Sequence, residues 1–382
     1  MDVHDARFGA LVARHPIVNA RVRPLFAAVV LVFLRLTFAP PASAAADDAV
    51  ITKIVQVPLD VLWHDPGDVS SLNMVDGAGG PNGAPAPPFQ FLQEDMSGTT
   101  PKVLVKDGQG RTWDIKWGDE ARPEVASTRI AWACGYFTEV EYFVPHGQIL
   151  GVHGLKRAAH SVDRQGNFAD ARFQLRSDWP KFLPQNNWEW DRNPFVGTRE
   201  LAGLKVLVMF VSNWDNKDAR DNERDSNLGV FETDGDPHRY EYFVADWGAS
   251  FGRWGTVVTR SKWDPKGFAA QTPSFVTGVS DGQVHFGYIG QHSDLAKNDI
   301  SVSDAAWILQ YLGRITDDQF RQALASAGAD PGQCDIYVRS LRARVDELRA
   351  AVSGVKYHAP VERPQQPLPP HLDYPVPTPA QP

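Results

Sequence analysis

Cysteine is scarce in this chain, with only Cys134 and Cys334 among 382 residues. Two cysteines cannot build a disulfide-dense scaffold or a multi-cysteine zinc or iron–sulfur site. They either form one bond or remain buried free thiols, and the sequence leaves both options open. Positive charge is also in deficit, because Lys and Arg number 38 against 46 Asp and Glu, a formal net charge of −8. That balance argues against nucleic acid as a partner.

Long uninterrupted apolar stretches are missing as well, since the apolar run over residues 25–39 contains Arg35. It is shorter than the roughly 20 residues that a membrane-spanning helix needs. Arginines precede it and Ala42-Ser43-Ala44 follows it, an order typical of a secretory signal peptide. We therefore expect residues 1–44 to be cleaved, which leaves an exported protein, periplasmic or extracellular, with no stable membrane insertion. An uncleaved anchor and a cytoplasmic chain are the alternatives.

The polarity pattern beyond residue 44 predicts an α+β protein. Residues 102–106 and 112–116 alternate in polarity around the turn that Asp107 and Gly108 begin, which is typical of a β-hairpin. A helix should follow over residues 123–134, because Pro is suited to a first helical position and Gly to the position after the last.

The second half of the chain reads as mainly helical. Thr198 is expected to cap a helix that is apolar nearly all round and is therefore buried. The acidic stretch over residues 218–236 lacks the pattern of a calcium-binding loop and is expected to be a solvated insertion. The remaining predicted elements are a strand over residues 240–245 and helices over residues 303–312, 317–327 and 335–352.

Two residues of the first half suggest a phosphate site. Lys116 ends the second strand of the hairpin, and Glu124 opens the following helix. A strand lysine paired with a helix glutamate, near a small-residue loop such as residues 97–100 with Gly98 and Thr99, can hold nucleotide phosphates. The plain alternative is a surface lysine and a glutamate favoured by the helix dipole.

Two carboxylates of the second half continue this pattern. Asp215 follows the buried helix, and Asp246 begins Asp246-Trp247-Gly248 directly after a strand. Asp215 is expected to act as the catalytic base, while Asp246 and Asn222 are expected to bind Mg²⁺. The spacing puts the second metal ligand in question, because position 220, where an asparagine is expected, is Arg220; Asp218 and residue 221 are the other candidates.

In these segments the sequence resembles the atypical kinases of the phosphatidylinositol 4-kinase, HipA-toxin and secreted Fam-twenty type. It is most similar overall to uncharacterised exported bacterial proteins with a kinase-like domain, through residues 193–200, 213–218 and 246–252. The resemblance implies a two-lobed kinase-like fold, with an antiparallel sheet and one helix in the N-lobe and a mainly helical C-lobe. The implied segments are a signal peptide (1–44), an N-lobe with the phosphate loop (45–150), a C-lobe with the catalytic and metal motifs (151–353) and a Pro-rich disordered tail (354–382).

The function that follows is an ATP- and Mg²⁺-dependent phosphotransferase acting on an acceptor that the sequence does not identify. A catalytically inactive module that binds nucleotide or glycan is the main alternative, with Trp188 and Trp190 as candidate sugar-stacking residues. A serine hydrolase is a weaker alternative, because residues 248–252 match a nucleophile elbow centred on Ser250 but are followed by poor helix-forming residues.

Overall fold

The structure is a computed structural model that describes residues 59–353 except residues 99, 179, 184–186, 221–225, 236 and 291–293. The predicted signal peptide (1–44) and tail (354–382) lie outside the described residues. None of the described helices is both long and apolar enough to cross a bilayer.

The predicted α+β class is confirmed. The strands are β1 (Leu59–Val61), β2 (Phe89–Asp95), β3 (Lys102–Lys106), β4 (Thr112–Trp117), β5 (Glu141–Leu150), β6 (Asn167–Arg176), β7 (Lys181–Phe182), β8 (Leu228–Thr233), β9 (Arg239–Val244), β10 (Val276–Ser280) and β11 (Gln283–Phe286). The helices are α1 (Ala121–Ala133), α2 (Arg199–Phe210), α3 (Pro265–Gln271), α4 (Val302–Leu312), α5 (Asp317–Ser326) and α6 (Pro331–Val352).

The first five strands after β1 close into a barrel in the order β2-β3-β4-β6-β5. Neighbours pair antiparallel except β2 and β5, which pair in parallel and close the barrel. The expected hairpin is β3–β4, with Lys102 opposite Lys116. Because β6 belongs to the barrel, the barrel extends to Arg176, whereas the N-lobe was expected to end at residue 150.

Asp107 explains why the hairpin turns where the sequence suggested. Its Oδ1 accepts hydrogen bonds from the backbone N–H groups of Gln109 and Arg111, both at 2.9 Å. Its Oδ2 accepts from Nε1 of Trp113, also at 2.9 Å, inside the apolar interior of the barrel. One carboxylate therefore satisfies the turn and fixes the first core residue of β4.

A second sheet, in the order β1-β9-β8-β7, packs with the helices around the buried helix α2. Thr198 caps α2 as expected and accepts a hydrogen bond from the backbone N–H of Leu201. The expectation of a solvated insertion over residues 218–236 was wrong in part, because β8 lies there and is largely buried. Its apolar residues were obscured by the charged residues on both sides of it.

Both cysteines are free and buried in the larger core, Cys134 at the end of α1 and Cys334 in α6. Burial in apolar surroundings raises the pKa of the Cys134 thiol. The structure therefore corresponds to the free-thiol alternative.

Candidate functional site

The Lys116–Glu124 contact expected from the sequence is present in the structure. Lys116 lies near the end of β4, and its Nζ is 2.6 Å from Oε1 of Glu124 in the first turn of α1. Both side chains are buried. Burial alone would lower the pKa of Lys116, but Glu124, Asp246 and Glu120 outweigh it and raise that pKa. Lys116 is therefore held as a cation.

A second glutamate, which the sequence reasoning missed, shares the same lysine. Glu120 immediately precedes α1, and its Oε2 lies 2.6 Å from Nζ of Lys116. Its other oxygen, Oε1, lies 2.5 Å from Nζ of Lys262. Burial opposes ionisation of Glu120, yet the two lysines hold its pKa at about 2. The spacing of four residues from Lys116 is the only sequence signal for this contact.

Arg172 on β6 supports the pair from the barrel side. It lies opposite Lys116 in the β4–β6 register, and its Nε is 2.7 Å from Oε2 of Glu124. A second guanidinium nitrogen is 2.8 Å from Oε1 of Glu141. Burial raises the pKa of Glu124 to about 7, against the attraction of Arg172 and Lys116. Glu124 thus depends on these two cations to remain ionised.

Asp246 lies two residues after the end of β9 and brings a third carboxylate to this position. Oxygens of Glu120, Glu124 and Asp246 all lie within 4.8 Å of one another. The turn is held by the backbone N–H of Gly248, which donates to Oδ1 of Asp246 over 2.7 Å. A Cβ at Gly248 would lie 2.7 Å from Cβ of Glu120, so glycine allows the turn to approach α1 this closely.

This donor set fits a divalent cation. Carboxylate oxygens are the ligands that Mg²⁺ and Mn²⁺ prefer. Two of the three carboxylates, Glu120 and Asp246, are only half-buried, so an ion could reach them from solvent.

Asp215 lies in the loop that follows α2, as the sequence suggested, and it is half-buried. The residue two positions earlier connects this loop with the Asp246 turn, since Nδ2 of Asn213 donates to the backbone oxygen of Asp246 over 2.9 Å. The hydroxyl of Tyr288 donates to the backbone oxygen of Asn213. The loop and the turn are thus fixed to each other by hydrogen bonds.

Asn222, the expected second metal ligand, lies outside the described residues. Asn227 is the asparagine that the structure places between the two acidic motifs. Its backbone oxygen accepts from the N–H of Ala245 over 2.8 Å, and its side-chain amide donates to the backbone oxygen of Asp215. Asp218, another candidate, is bound by Arg220 in an ion pair. The number of residues between Asp215 and Asn227 depends on the length of the intervening loop, so a fixed motif spacing from Asp215 does not identify Asn227.

The expected phosphate loop precedes β3, although Thr99 lies outside the described residues. Gly98 has φ of +63°, a left-handed conformation that glycine adopts without strain. Arg157 donates to its backbone oxygen, and Nζ of Lys102 donates to Oγ of Ser97 over 3.0 Å. Oγ1 of Thr100 reaches Oε2 of Glu120 at 3.4 Å, which places this loop beside the carboxylates.

The alternative sites are not formed. Trp188 and Trp190 are 4% and 1% exposed and pack against each other in the core, so neither offers a face to a sugar. Ser250 is fully buried, and the chain after it forms no α-helix until α3 begins at Pro265. The alternative interpretation of Ser250 as the centre of a nucleophile elbow was therefore wrong.

No protein-family model matches the sequence, and none of the curated proteins matches it either. Among solved structures, the Golgi casein kinase with Mn/ADP bound matches at 9% identity and a TM-score of 0.38, over 70% of this chain and 73% of that chain. The Helicobacter pylori proinflammatory kinase CtkA matches at 9% identity and a TM-score of 0.38, over 70% and 95%. Another Golgi casein kinase structure matches at 9% identity and 0.37, over 76% and 77%. The chain is thus distantly similar in structure to kinases, and the function proposed below depends on the contacts of the site itself.

Proposed function

We propose that this protein is an ATP- and Mg²⁺-dependent phosphotransferase. The observation that carries the proposal is the buried ammonium of Lys116, held between Glu124 and Glu120 at 2.6 Å from each. A lysine fixed in this way next to an acidic cluster is suited to a ligand that brings both phosphates and a divalent cation.

Nucleotide phosphates would lie between the loop over residues 97–100 and Lys116. Gly98 gives the loop a left-handed turn without strain, and Lys116 supplies a charge that Glu124 keeps in one position. Charge-assisted hydrogen bonds of this type contribute about 1.5–3 kcal/mol each. Asp246 and Glu120, the two half-buried carboxylates, would hold the metal ion, which would neutralise part of the phosphate charge.

Asp215 is the residue proposed to act on the acceptor. In the transfer, the bond between the terminal phosphorus and the bridging oxygen breaks, and its electron pair remains on the nucleoside diphosphate. A new bond forms between phosphorus and the acceptor oxygen, whose proton passes to the Asp215 carboxylate. Asn213 donates to the backbone oxygen of Asp246 and Asn227 to that of Asp215, so these hydrogen bonds link the backbone segments that carry the two carboxylates.

The test combines binding and turnover. Calorimetry with ATP, with and without Mg²⁺, should show metal-dependent binding, and γ-³²P-ATP should yield labelled protein or inorganic phosphate. Asp215→Asn should keep the binding and lose the turnover. Binding without turnover in the wild type would favour the inactive nucleotide-binding alternative, and no binding of ATP would refute the proposal.

Export is part of this proposal because residues 1–44 carry the order of a signal peptide. Mass spectrometry of the mature native protein should then find an N-terminus near Ala45. An intact Met1 on a soluble intracellular protein would refute export and leave the proposed chemistry unaffected.

A further inference from the structure

Lys262 belongs to the segment after the Asp246 turn, far from Lys116 in the chain, yet both lysines contact the same carboxylate. Lys116 lies 2.6 Å from Oε2 of Glu120, and Lys262 lies 2.5 Å from Oε1. Oxygens of Glu120 and Asp246 lie within 4.8 Å of each other. Two ammonium groups are therefore placed around the position where we expect the metal and phosphates.

Lys262 also approaches the proposed base. Its Nζ lies 5.4 Å from the ring centroid of Trp214, the residue immediately before Asp215. It is therefore situated between the carboxylates of the metal site and the loop that carries Asp215. In a phosphotransferase the terminal phosphoryl group leaves the nucleotide at the metal site and meets the acceptor beside the base. It therefore passes through the space between the carboxylates and the Asp215 loop.

The backbone that carries Lys262 is fixed on both sides. Nε1 of Trp214 donates to the backbone oxygen of Ser261 over 2.9 Å, and the N–H of Trp263 donates to the backbone oxygen of Ser250 over 3.2 Å. A Cβ at Gly252 would lie 2.1 Å from the backbone oxygen of Ser261, so glycine allows this close packing. The side chain of Lys262 is 25% exposed, in contrast to 10% for Lys116, which leaves it room to turn toward a ligand.

We propose that Lys262 is a second phosphate-binding lysine that contacts the terminal phosphoryl group of the nucleotide, an inference that depends on the proposed function. In the ligand-free protein Glu120 keeps Lys262 in place. When the nucleotide binds, the ammonium of Lys262 exchanges this carboxylate for an oxygen of the phosphoryl group. It then stabilises the negative charge of that group while the bond to the acceptor forms.

The experiment compares the binding of ADP with that of the non-hydrolysable ATP analogue AMP-PNP, both with Mg²⁺, by calorimetry. In Lys262→Ala the affinity for AMP-PNP should fall about tenfold, and that for ADP by less than about twofold, because only the former has a terminal phosphoryl group. Lys262→Arg should recover part of the loss. Lys266→Ala, on the neighbouring helix α3, is the matched control and should bind both nucleotides like the wild type.

The outcomes separate the two hypotheses. If the wild type binds both nucleotides but Lys262→Ala weakens them equally or not at all, Lys262 is not a contact of the terminal phosphoryl group, although the proposed function stands. An equal weakening together with a lower melting temperature would identify Lys262 as a structural link between α1 and the segment after Asp246. If the wild type binds neither nucleotide, the proposed function and this inference both fail.

Discussion

The side-chain nitrogen of Lys116 lies 2.6 Å from Oε1 of Glu124, although a turn between strand and helix separates the two residues. On the two strands next to β4, Lys116 lies opposite Lys102 of β3 and opposite Arg172 of β6. Three cations in adjacent strand positions repel one another unless each has an anionic partner. Glu124 contacts both Lys116 and Arg172, so it stabilises the row and fixes the direction of Lys116 at the same time.

Replacement of Lys116 tests the phosphate site. Lys116→Ala should weaken Mg·ATP binding by about 1.5–3 kcal/mol, because a charge-assisted hydrogen bond to phosphate is lost. Titration calorimetry measures the change. Lys106→Ala, on the exposed end of the same hairpin, should leave the affinity unchanged. Equal affinities in the two variants would show that Lys116 does not contact the nucleotide.

Replacement of Asp246 tests the metal site. Asp246→Asn should abolish metal-dependent nucleotide binding. It should change the free energy of unfolding of the metal-free protein by no more than about 1 kcal/mol. The amide oxygen can still accept from Gly248, and relief of the repulsion with Glu120 offsets the lost attraction to Lys116.

The measurement for Asp246 is a pair of melting temperatures, with and without Mg·ATP. Asp119→Asn removes an exposed carboxylate beside the cluster and should retain the full ligand-induced stabilisation. A loss of about 3 kcal/mol or more in metal-free Asp246→Asn would instead identify Asp246 as a structural anchor.

Arg344 in α6 supports the loop that carries Asp215. The guanidinium is fully buried and donates to the backbone oxygens of Met209 and Phe210 at the end of α2, and to Oγ of Ser212. Burial lowers the pKa of Arg344 to about 9, so its side chain remains charged at neutral pH. A cation at the C-terminal end of a helix stabilises that helix through its dipole. Arg344→Met should destabilise the protein by about 3 kcal/mol or more, because the backbone oxygen of Phe210 and Oγ of Ser212 lose a buried, charged donor.

Urea unfolding measures this effect, with Arg339→Met on the exposed face of the same helix as the control. The control should change the free energy of unfolding by about 0.5 kcal/mol or less. If both variants unfold at the same urea concentration, the contacts of Arg344 do not hold the end of α2.

Glu241 on β9 makes stability depend on pH. Burial raises its pKa to about 7, against the attraction of Arg239. The folded state therefore retains a proton that the unfolded state loses, so the stability from Glu241 is present below its unfolded pKa and is lost as pH rises toward 7. Glu241→Gln should be more stable than the wild type by about 2–3 kcal/mol at pH 8 and by much less at pH 4.

Chemical denaturation at the two pH values measures this difference, and Asp234→Asn, which replaces an exposed acid in the turn before β9, should show no such dependence. A Glu241→Gln variant that is less stable than the wild type at pH 8 would mean that the ionised carboxylate has a stabilising partner.

Local signals in the sequence were sufficient for much of the fold. Asp107 marked the hairpin and Thr198 the start of α2, because a turn and a helix cap are determined by neighbouring residues. The strand β8 was missed, because it is placed by its pairing with β9 and the residues next to it in the sequence do not indicate that pairing.

The residues of the candidate site also divide into those with a local signal in the sequence and those without one. Lys116 and Glu124 were found because they flank a turn between two predicted elements. Arg172 and Lys262 were missed, because tertiary contacts bring them to the same carboxylates from distant parts of the chain. No periodicity or spacing in the sequence encodes those distances.

The strand β1 precedes the barrel in the chain but pairs in parallel with β9, with Leu59 opposite Arg239. The turns after β1 are held by Gln319 of α5, which donates to the backbone oxygens of Val69 and Leu72. The last barrel strand ends at Arg176, so a growing polypeptide can complete the barrel well before β1 has its partner β9. During synthesis β1 must therefore wait for β9, which is made much later, and β9 is also the strand that leads into Asp246.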